Sequence, residues 1–489
     1  MGKSQPYIHL KPSNLIGSRS RKITGNVVSS LQNNREPEGA SSGNSHMLRI
    51  NLNKFPSFIG HCSSRINRRY NEDAYSMNVL KLPKRVEEAA CINSKNVKRK
   101  VQHWNTKLSL DKSVLNVSIF DGHGGSRVSK LLASDLDRWI ANTYPSKKEF
   151  ESVLKDYKRL VGGQYWSTIY EKRAKFYNKF IQTCNTKQEQ VLQRGDQTSG
   201  SRIIFDKWGN VIDKTSLLDE YERLRIYLAF LKHDLEQVCG FNSTLKDGEE
   251  VEKLFSGGST ASSIFLTSYD EAYSYDESFF VNPESLLKLI VTQVGDTKVI
   301  LCDKNGIAHR LVRVHHPNSS RESRRLGANF QTDSFGEVRF LNNFANTRAF
   351  GDRMGKREGL TCEPDIYSYV IGSTKHLPRS EHSKLQFGGD ECFICLITDG
   401  VSDLMGDQEV VDLITSTVNN RGLKVASPQY CSEEVIRYIM AVAGRNADNA
   451  TCLCVRLPNW GNWPVVDRTG AIREEKLMSS SSGSERSNV

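Results

Sequence analysis

Four short turns each place an acidic side chain where an apolar run stops: Asp121-Gly122-His123-Gly124, Gly295-Asp296, Asp399-Gly400-Val401-Ser402-Asp403 and Asp448-Asn449. A single aspartate at the end of a strand is as readily a turn former as a functional group. Four in one chain, each after a similar run, predict carboxylates that converge when the strands lie side by side. Converging carboxylates repel one another unless a cation sits between them. Oxygen ligands suit hard divalent ions, so Mg²⁺ or Mn²⁺ is expected rather than zinc. Glycines beside Asp121 let the backbone approach a ligand closely.

Two further features narrow the chemistry. Arg68-Arg69-Tyr70-Asn71-Glu72-Asp73 sets a guanidinium five residues before a carboxylate, and the planar fork of an arginine matches phosphate oxygens. An isolated arginine is ordinarily a surface ion pair; the acidic cluster gives this one a second use. His123, between Gly122 and Gly124, is placed to protonate a leaving oxygen.

The elements that must position these residues alternate in blocks. Val114–Phe120, Ser262–Thr267, Leu286–Val294, Lys298–Asp303, Glu391–Thr398 and Thr451–Arg456 read as strands, β-branched or aromatic and bounded by Gly, Asp or Asn. Helical stripes run through Val128 to Ile140, Trp166 to Phe180, Leu224 to Val238, and Val435 to Ala443 with Ser432 as the expected N-cap. The aromatic stripe from Trp166 reads as core packing. Strands come in runs rather than in strict βα alternation, which predicts an α+β layered domain.

The net charge of +11 is confined to two stretches. Residues 1–50 carry seven Lys/Arg against two acids, and residues 81–112 carry nine against three. A neutral body with basic appendages argues against a nucleic-acid-binding face, and Lys98-Arg99-Lys100 reads as a solvated loop. Eleven cysteines lack the spacing of a disulfide scaffold. Cys392 and Cys395, expected on opposite faces of a strand, do not suggest zinc binding. No apolar run is long enough for a membrane span. Residues 1–50 are expected as a disordered basic tail, 185–220 as a surface insertion, and 467–489 as a disordered C-terminal tail. The first 35 residues hold no Asp or Glu, the composition of a mitochondrial transit peptide, with a cytoplasmic tail as the alternative.

In order along the chain, several motifs resemble the metal-dependent protein serine/threonine phosphatases of the protein phosphatase 2C type. They are Arg68-x-x-Asn71-Glu72-Asp73, Phe120-Asp121-Gly122-His123-Gly124-Gly125, Gly257-Gly258-Ser259-Thr260-Ala261 and Val294-Gly295-Asp296-Thr297. Thr347-Arg348-Ala349-Phe350-Gly351-Asp352, Glu363-Pro364-Asp365, Thr398-Asp399-Gly400-x-x-Asp403 and Asp448-Asn449-Ala450-Thr451 complete the series. The resemblance spans about Gly60 to Leu457, with the catalytic domain expected over 55–460, and is similar to fungal mitochondrial members.

It implies a central antiparallel β-sandwich flanked by helical layers, and hydrolysis of phosphoserine or phosphothreonine on protein substrates by a metal-activated water, without a covalent phosphoenzyme. By position, Asp121 would bridge two metals, helped by the Gly122 carbonyl, and Asp399 and Asp448 would complete the second site. Glu72 and Asp73 would act mainly through water. Asp296 and Asp403 match a weaker third metal, Arg68 would orient phosphate, and His123 would be the acid. A monomer is expected. The alternative is an inactive phosphatase-like scaffold that binds a partner. Val314-His315-His316-Pro317 and the segment Arg325 to Asn343 depart from the family pattern and bear on substrate choice.

Overall fold

Apolar residues on both faces of a strand mark one covered on both sides, and Leu286–Val294 is buried along its whole length, Lys288, Thr292 and Gln293 included. What covers them is seen in a computed structural model, which describes residues 4–10, 48–83, 111–191, 203–205, 211–213, 220–240, 257–268, 279–327, 330–332 and 336–485. The strands that build the sheets around the site begin with β1 (Ser4–Gln5), β2 (Ile59–Ser64), β3 (Ala74–Pro83), β4 (Asp111–Phe120), β5 (Gly122–His123), β6 (Gly258–Ser259) and β7 (Ala261–Ser268). They continue with β8 (Leu286–Val294), β9 (Lys298–Cys302), β10 (Ala308–Arg310), β11 (Phe350–Gly351), β12 (Asp365–Gly372), β13 (Phe393–Ile397) and β14 (Ala450–Arg456).

One antiparallel sheet has the order β1-β3-β4-β7-β8-β12, the other β10-β9-β13-β14-β2. Their inner faces meet through Val117, Ile119, Ile264 and Val291 on one side and Val299, Leu301, Ile394 and Leu453 on the other. Alternate residues of the first sheet, among them Val114, Phe265 and Ile290, pack on helices α1 (Arg127–Asn142), α2 (Lys147–Asp156), α3 (Gly163–Val191) and α4 (Glu220–His233). The outer face of the second, with Ile300, Phe393 and Cys395, is covered by α6 (Asp407–Arg421) and α7 (Pro428–Val442), while α5 (Arg353–Arg357) follows β11. The fold is the α+β sandwich between helical layers that the sequence suggests. A third, three-stranded sheet, β11-β6-β5, sits where the site forms.

Several sequence expectations need correction. The C-terminal tail is not disordered over most of its length: Gly470–Glu485 forms helix α8. Buried Asp412 of α6 receives the Arg468 N–H and the Thr469 hydroxyl at 2.8 and 2.9 Å, and Lys476 pairs with Glu409 at 2.8 Å. Those partners lie more than fifty residues away in sequence, so local composition hides them. The N-terminal tail is likewise not wholly disordered. Ser4–Gln5 extends the first sheet, and Tyr7–Leu10 pairs with Leu48–Asn51, burying Ile8 and Leu10 in the inter-sheet core; residues 11–47 lie outside the described residues.

Elsewhere the boundaries move. Helix α7 starts at Pro428, capped by Ser427, whose Oγ accepts from the Tyr430 N–H at 3.3 Å. Ser432, the expected cap, lies inside the helix and donates to the Pro428 carbonyl at 3.0 Å. Cys392 precedes its strand, where the pleat has not begun, and shares the outer core with Cys395 rather than facing away. The expected insertion at 185–220 begins inside α3 and contains a short pair, Ile203–Phe205 with Val211–Asp213. Of the basic stretch, 84–110 lies outside the described residues. Among the described residues no helix is long and apolar enough to cross a membrane.

Candidate active site

Strand pairing gathers the acidic turns. Ala74 at the start of β3 pairs with Phe120 at the end of β4, so Glu72 and Asp73 enter where Asp121 leaves. Ala261 at the start of β7 pairs with Val294 at the end of β8, which brings the Gly295-Asp296 turn alongside. In the other sheet β13 runs into Asp399 and β14 begins just after Asp448-Asn449, the two strands pairing at Ile397 and Cys452. Both sheets thus deliver carboxylates to one pole of the sandwich.

The turns touch so closely that glycine is required. A Cβ on Gly122 would lie 2.4 Å from the Glu72 carbonyl oxygen, and one on Gly400 would lie 2.0 Å from that of Asn449. Asn449 laces the pole together, accepting the Glu72 N–H at 2.8 Å and donating to the Tyr70 carbonyl at 2.9 Å. The Thr398 and Thr451 hydroxyls donate to Asp73 Oδ2 at 3.1 and 2.6 Å.

Crowding of like charges dominates the electrostatics. Burial, then the charges of Asp399, Asp73 and Asp296, pushes Asp121 well above the usual carboxylate range. Burial, then Asp296, Asp403 and Asp448, does the same to Asp399. Asp73 is raised to about 6, chiefly by burial, against the two threonine hydroxyls, and Asp403 rises through burial and Asp296. Among the described residues no three His, Cys, Asp or Glu side chains are arranged so that they could hold a metal ion by themselves. Asp73 Oδ1, Asp121 Oδ2 and Asp296 Oδ1 are nevertheless buried without a hydrogen-bond partner. Orphaned carboxylate oxygens in an anionic cluster fit a hard divalent cation and water as missing partners. Waters and a backbone carbonyl can complete such a shell where side chains alone do not.

Arg68 donates to Asp448 Oδ2 at 2.7 Å, and both side chains are about half exposed. His123 Nε2 lies 2.7 Å from Asp352 Oδ2. Burial lowers the imidazole, but the hydrogen bond and charge of Asp352 outweigh it and raise His123 above its ordinary value. Space for this pair exists because residue 258 is glycine: a Cβ there would stand 2.6 Å from both His123 Nε2 and Asp352 Oδ2. A cavity of about 390 Å³ near Trp139, Tyr144 and Lys232 has none of these residues in its lining and is not this site.

A family model described as protein phosphatase 2C matches residues 159–448. The chain belongs to the protein phosphatase 2C family. Its enzyme class is protein serine/threonine phosphatase. The matched span holds Asp296, Asp399, Asp403 and Asp448, while Arg68, Glu72, Asp73, Asp121 and His123 precede it. Protein phosphatase 2C homolog 4 of Schizosaccharomyces pombe is 28% identical over 443 residues, 89% of each chain. A Xenopus laevis protein named protein phosphatase 1K, mitochondrial, is 28% identical over 178 residues, 36% of this chain and 41% of that one. Among solved structures, the serine-threonine phosphatase 2C of Toxoplasma gondii is 14% identical, covering 82% of this chain and 94% of its own, with a TM-score of 0.43.

In this phosphatase the structure brings all the expected acidic residues, with His123 and Arg68, to one pole. Sequence reasoning did not single out four supports. Asp352 lay within a quoted motif, but its partner His123 is 229 residues away. Asn449 and the Thr398–Thr451 pair were likewise quoted without a role. His315 holds the Asp296 turn: its Nδ1 accepts the Gly295 N–H at 3.0 Å and its Nε2 lies 3.1 Å from Asp365 Oδ2. A histidine in a motif that departs from its family was the available signal.

Proposed function

We propose that this protein phosphatase hydrolyses phosphoserine and phosphothreonine on protein substrates by direct attack of water, with Mg²⁺ or Mn²⁺ as cofactor. Asp121, the Gly122 carbonyl, Asp399 and Asp448 would hold two cations, Glu72 and Asp73 would support them through water, and Asp296 with Asp403 would hold a weaker third. Such a pair, when bound, supplies a nucleophile at neutral pH and neutralises phosphoryl charge. The observation that carries the reading is the set of three orphaned carboxylate oxygens at the pole where both sheets end.

The chain's own groups do the rest. Arg68, half exposed beside Asp448, presents its fork to the phosphate oxygens. With His123 Nε2 occupied by Asp352, Nδ1 is the nitrogen left to give a proton to the departing serine or threonine oxygen. The Thr398 and Thr451 hydroxyls take Asp73 Oδ2 and so turn Oδ1 toward the cluster. Purified full-length protein, first stripped with a chelator, should release phosphate from a phosphoserine peptide only after Mn²⁺ or Mg²⁺ is restored. Turnover without metal, or none with either ion, contradicts the reading.

For location we propose the mitochondrion, on the acid-free first 35 residues, with the protein acting as a monomer. Burial of Ile8 and Leu10 in the core implies that an imported chain keeps its first strands. A reporter fused to residues 1–50 that spreads evenly through the cytosol would overturn this location.

A further inference from the structure

Helix α4 does not run straight through its apolar stripe; at His233 it widens into a π-helical turn, Asp234–Val238. Such turns recur at functional positions. Asp234 within it is fully buried. Its Oδ1 accepts the Gly351 N–H at 2.8 Å. Its Oδ2 accepts the Tyr157 hydroxyl at 2.6 Å and lies 3.1 Å from Lys356 Nζ. Lys356, equally buried, donates to the Ala349 carbonyl at 2.9 Å. The ion pair therefore grips the chain on both sides of Phe350, immediately before Asp352.

Stability alone explains this pair poorly, because a buried ion pair rarely outperforms apolar residues of the same volume. Geometry explains it better. Asp352 sits at φ +48° and ψ +48°, a left-handed conformation that a non-glycine residue keeps only where its surroundings over-determine it. Its N–H is taken by the Gly257 carbonyl at 3.0 Å, and its side chain by His123. A Cβ on Gly351 would lie 2.4 Å from that same Gly257 oxygen, so the turn has no slack on the strand side. Asp234 and Lys356 fix it from the helical side.

We propose that Asp234, together with Lys356, is a positioning residue for the dephosphorylation: it locks residues 349–352 so that Asp352 holds His123 toward the departing oxygen. The inference rests on the reading of His123 as the leaving-group acid, and it gives the helical layer of α2 and α4 a part in catalysis. Because the support acts on proton delivery, its loss is felt only where the leaving group needs a proton.

Two double variants isolate the contact. Asp234→Asn with Lys356→Met removes the ion pair but keeps an amide oxygen for the Gly351 N–H. Asp234→Leu with Lys356→Met removes that acceptor as well. Each is assayed in Mn²⁺ on a phosphoserine peptide and on p-nitrophenyl phosphate, whose phenolate leaves unprotonated. The leucine variant should be slower than the asparagine variant by ~10-fold or more in kcat on the peptide, the scale of a misplaced group, with KM unchanged and both alike on p-nitrophenyl phosphate. Equal peptide rates, or an equal drop on both substrates, overturn the proposal. His123→Ala run alongside separates the two readings. If it alone shows the peptide-selective loss, only the Asp234 proposal falls; if it shows none, the acid reading falls and takes this proposal with it. Should the double variants fail to fold, Tyr157→Phe, which loosens Asp234 Oδ2 and leaves Lys356 in place, should show a smaller peptide-selective loss, and its absence overturns the proposal.

Discussion

At the scale of the residue, the site is a set of carboxylates whose burial and mutual repulsion are unfavourable in the absence of a cation. Asp121 is the most consequential, raised by burial and by three neighbouring aspartates. Asp121→Ala should abolish phosphopeptide hydrolysis while leaving the fold intact by circular dichroism, since it relieves repulsion. His123→Ala should slow phosphopeptide turnover by ~10²–10⁴-fold, the range for lost acid catalysis, with little change in KM. Part of this was legible in the sequence, because Asp121, Asp296 and Asp399 each end a recognisable apolar run; Asp448, expected to end one too, instead precedes its strand, as Glu72 and Asp73 do. Asp352 was not, because its use depends on a left-handed turn and on a contact 229 residues distant.

At the scale of the element, short sheets and buried networks hold the pole in register. Strand β6 passes so close to the His123–Asp352 pair that Gly258→Ala must displace it. That variant should lose peptide activity by ~10-fold or more, a misplacement effect, measured against its melting temperature to separate it from unfolding. Beneath the Asp296 turn, buried Arg348 binds Glu322 at 2.7 Å and Asp365 at 3.1 Å, and His315 joins Asp365. Burial, then Arg348, lowers His315 to about 4. Arg348 holds Glu322 at about 2 against the effect of burial.

Both shifts carry the same sign. A histidine kept neutral when folded gives stability that is full above its unfolded value near 6.5 and is lost as pH falls toward 4. A depressed carboxylate gives stability present above about 4.5 and lost as pH falls toward 2. Denaturant titrations should therefore show stability falling from pH 6.5 to 4, by on the order of 3 kcal/mol from His315 alone, and His315→Gln should flatten that slope. Strands such as β4 and β8 were legible because aliphatic and β-branched residues dominate them, even with Asn116, Ser118, Lys288, Thr292 and Gln293 buried among them. Ser76, Asn78 and Lys81 concealed β3 (Ala74–Pro83), and Ser368 between two tyrosines interrupted β12 (Asp365–Gly372), although they deliver Asp73 and Asp365.

At the scale of the whole molecule, the two ends of the chain are part of the fold rather than appendages. Helix α8 meets α6 through Lys476 and α7 through the Arg473 carbonyl, while Arg468 and Thr469 just before it bind the buried Asp412. Deleting 467–489 should leave Asp412 without its Arg468 and Thr469 partners and lower the melting temperature by several degrees, corresponding to ~1–3 kcal/mol for an unsatisfied buried carboxylate.

The acids at the pole should bind small divalent cations. Calorimetric titration of Mn²⁺ into chelator-stripped protein reads that binding without recourse to activity. Two principal sites are expected in the wild type, with loss of at least one of them in Asp121→Ala. No binding heat, or an isotherm unchanged by that substitution, would contradict it.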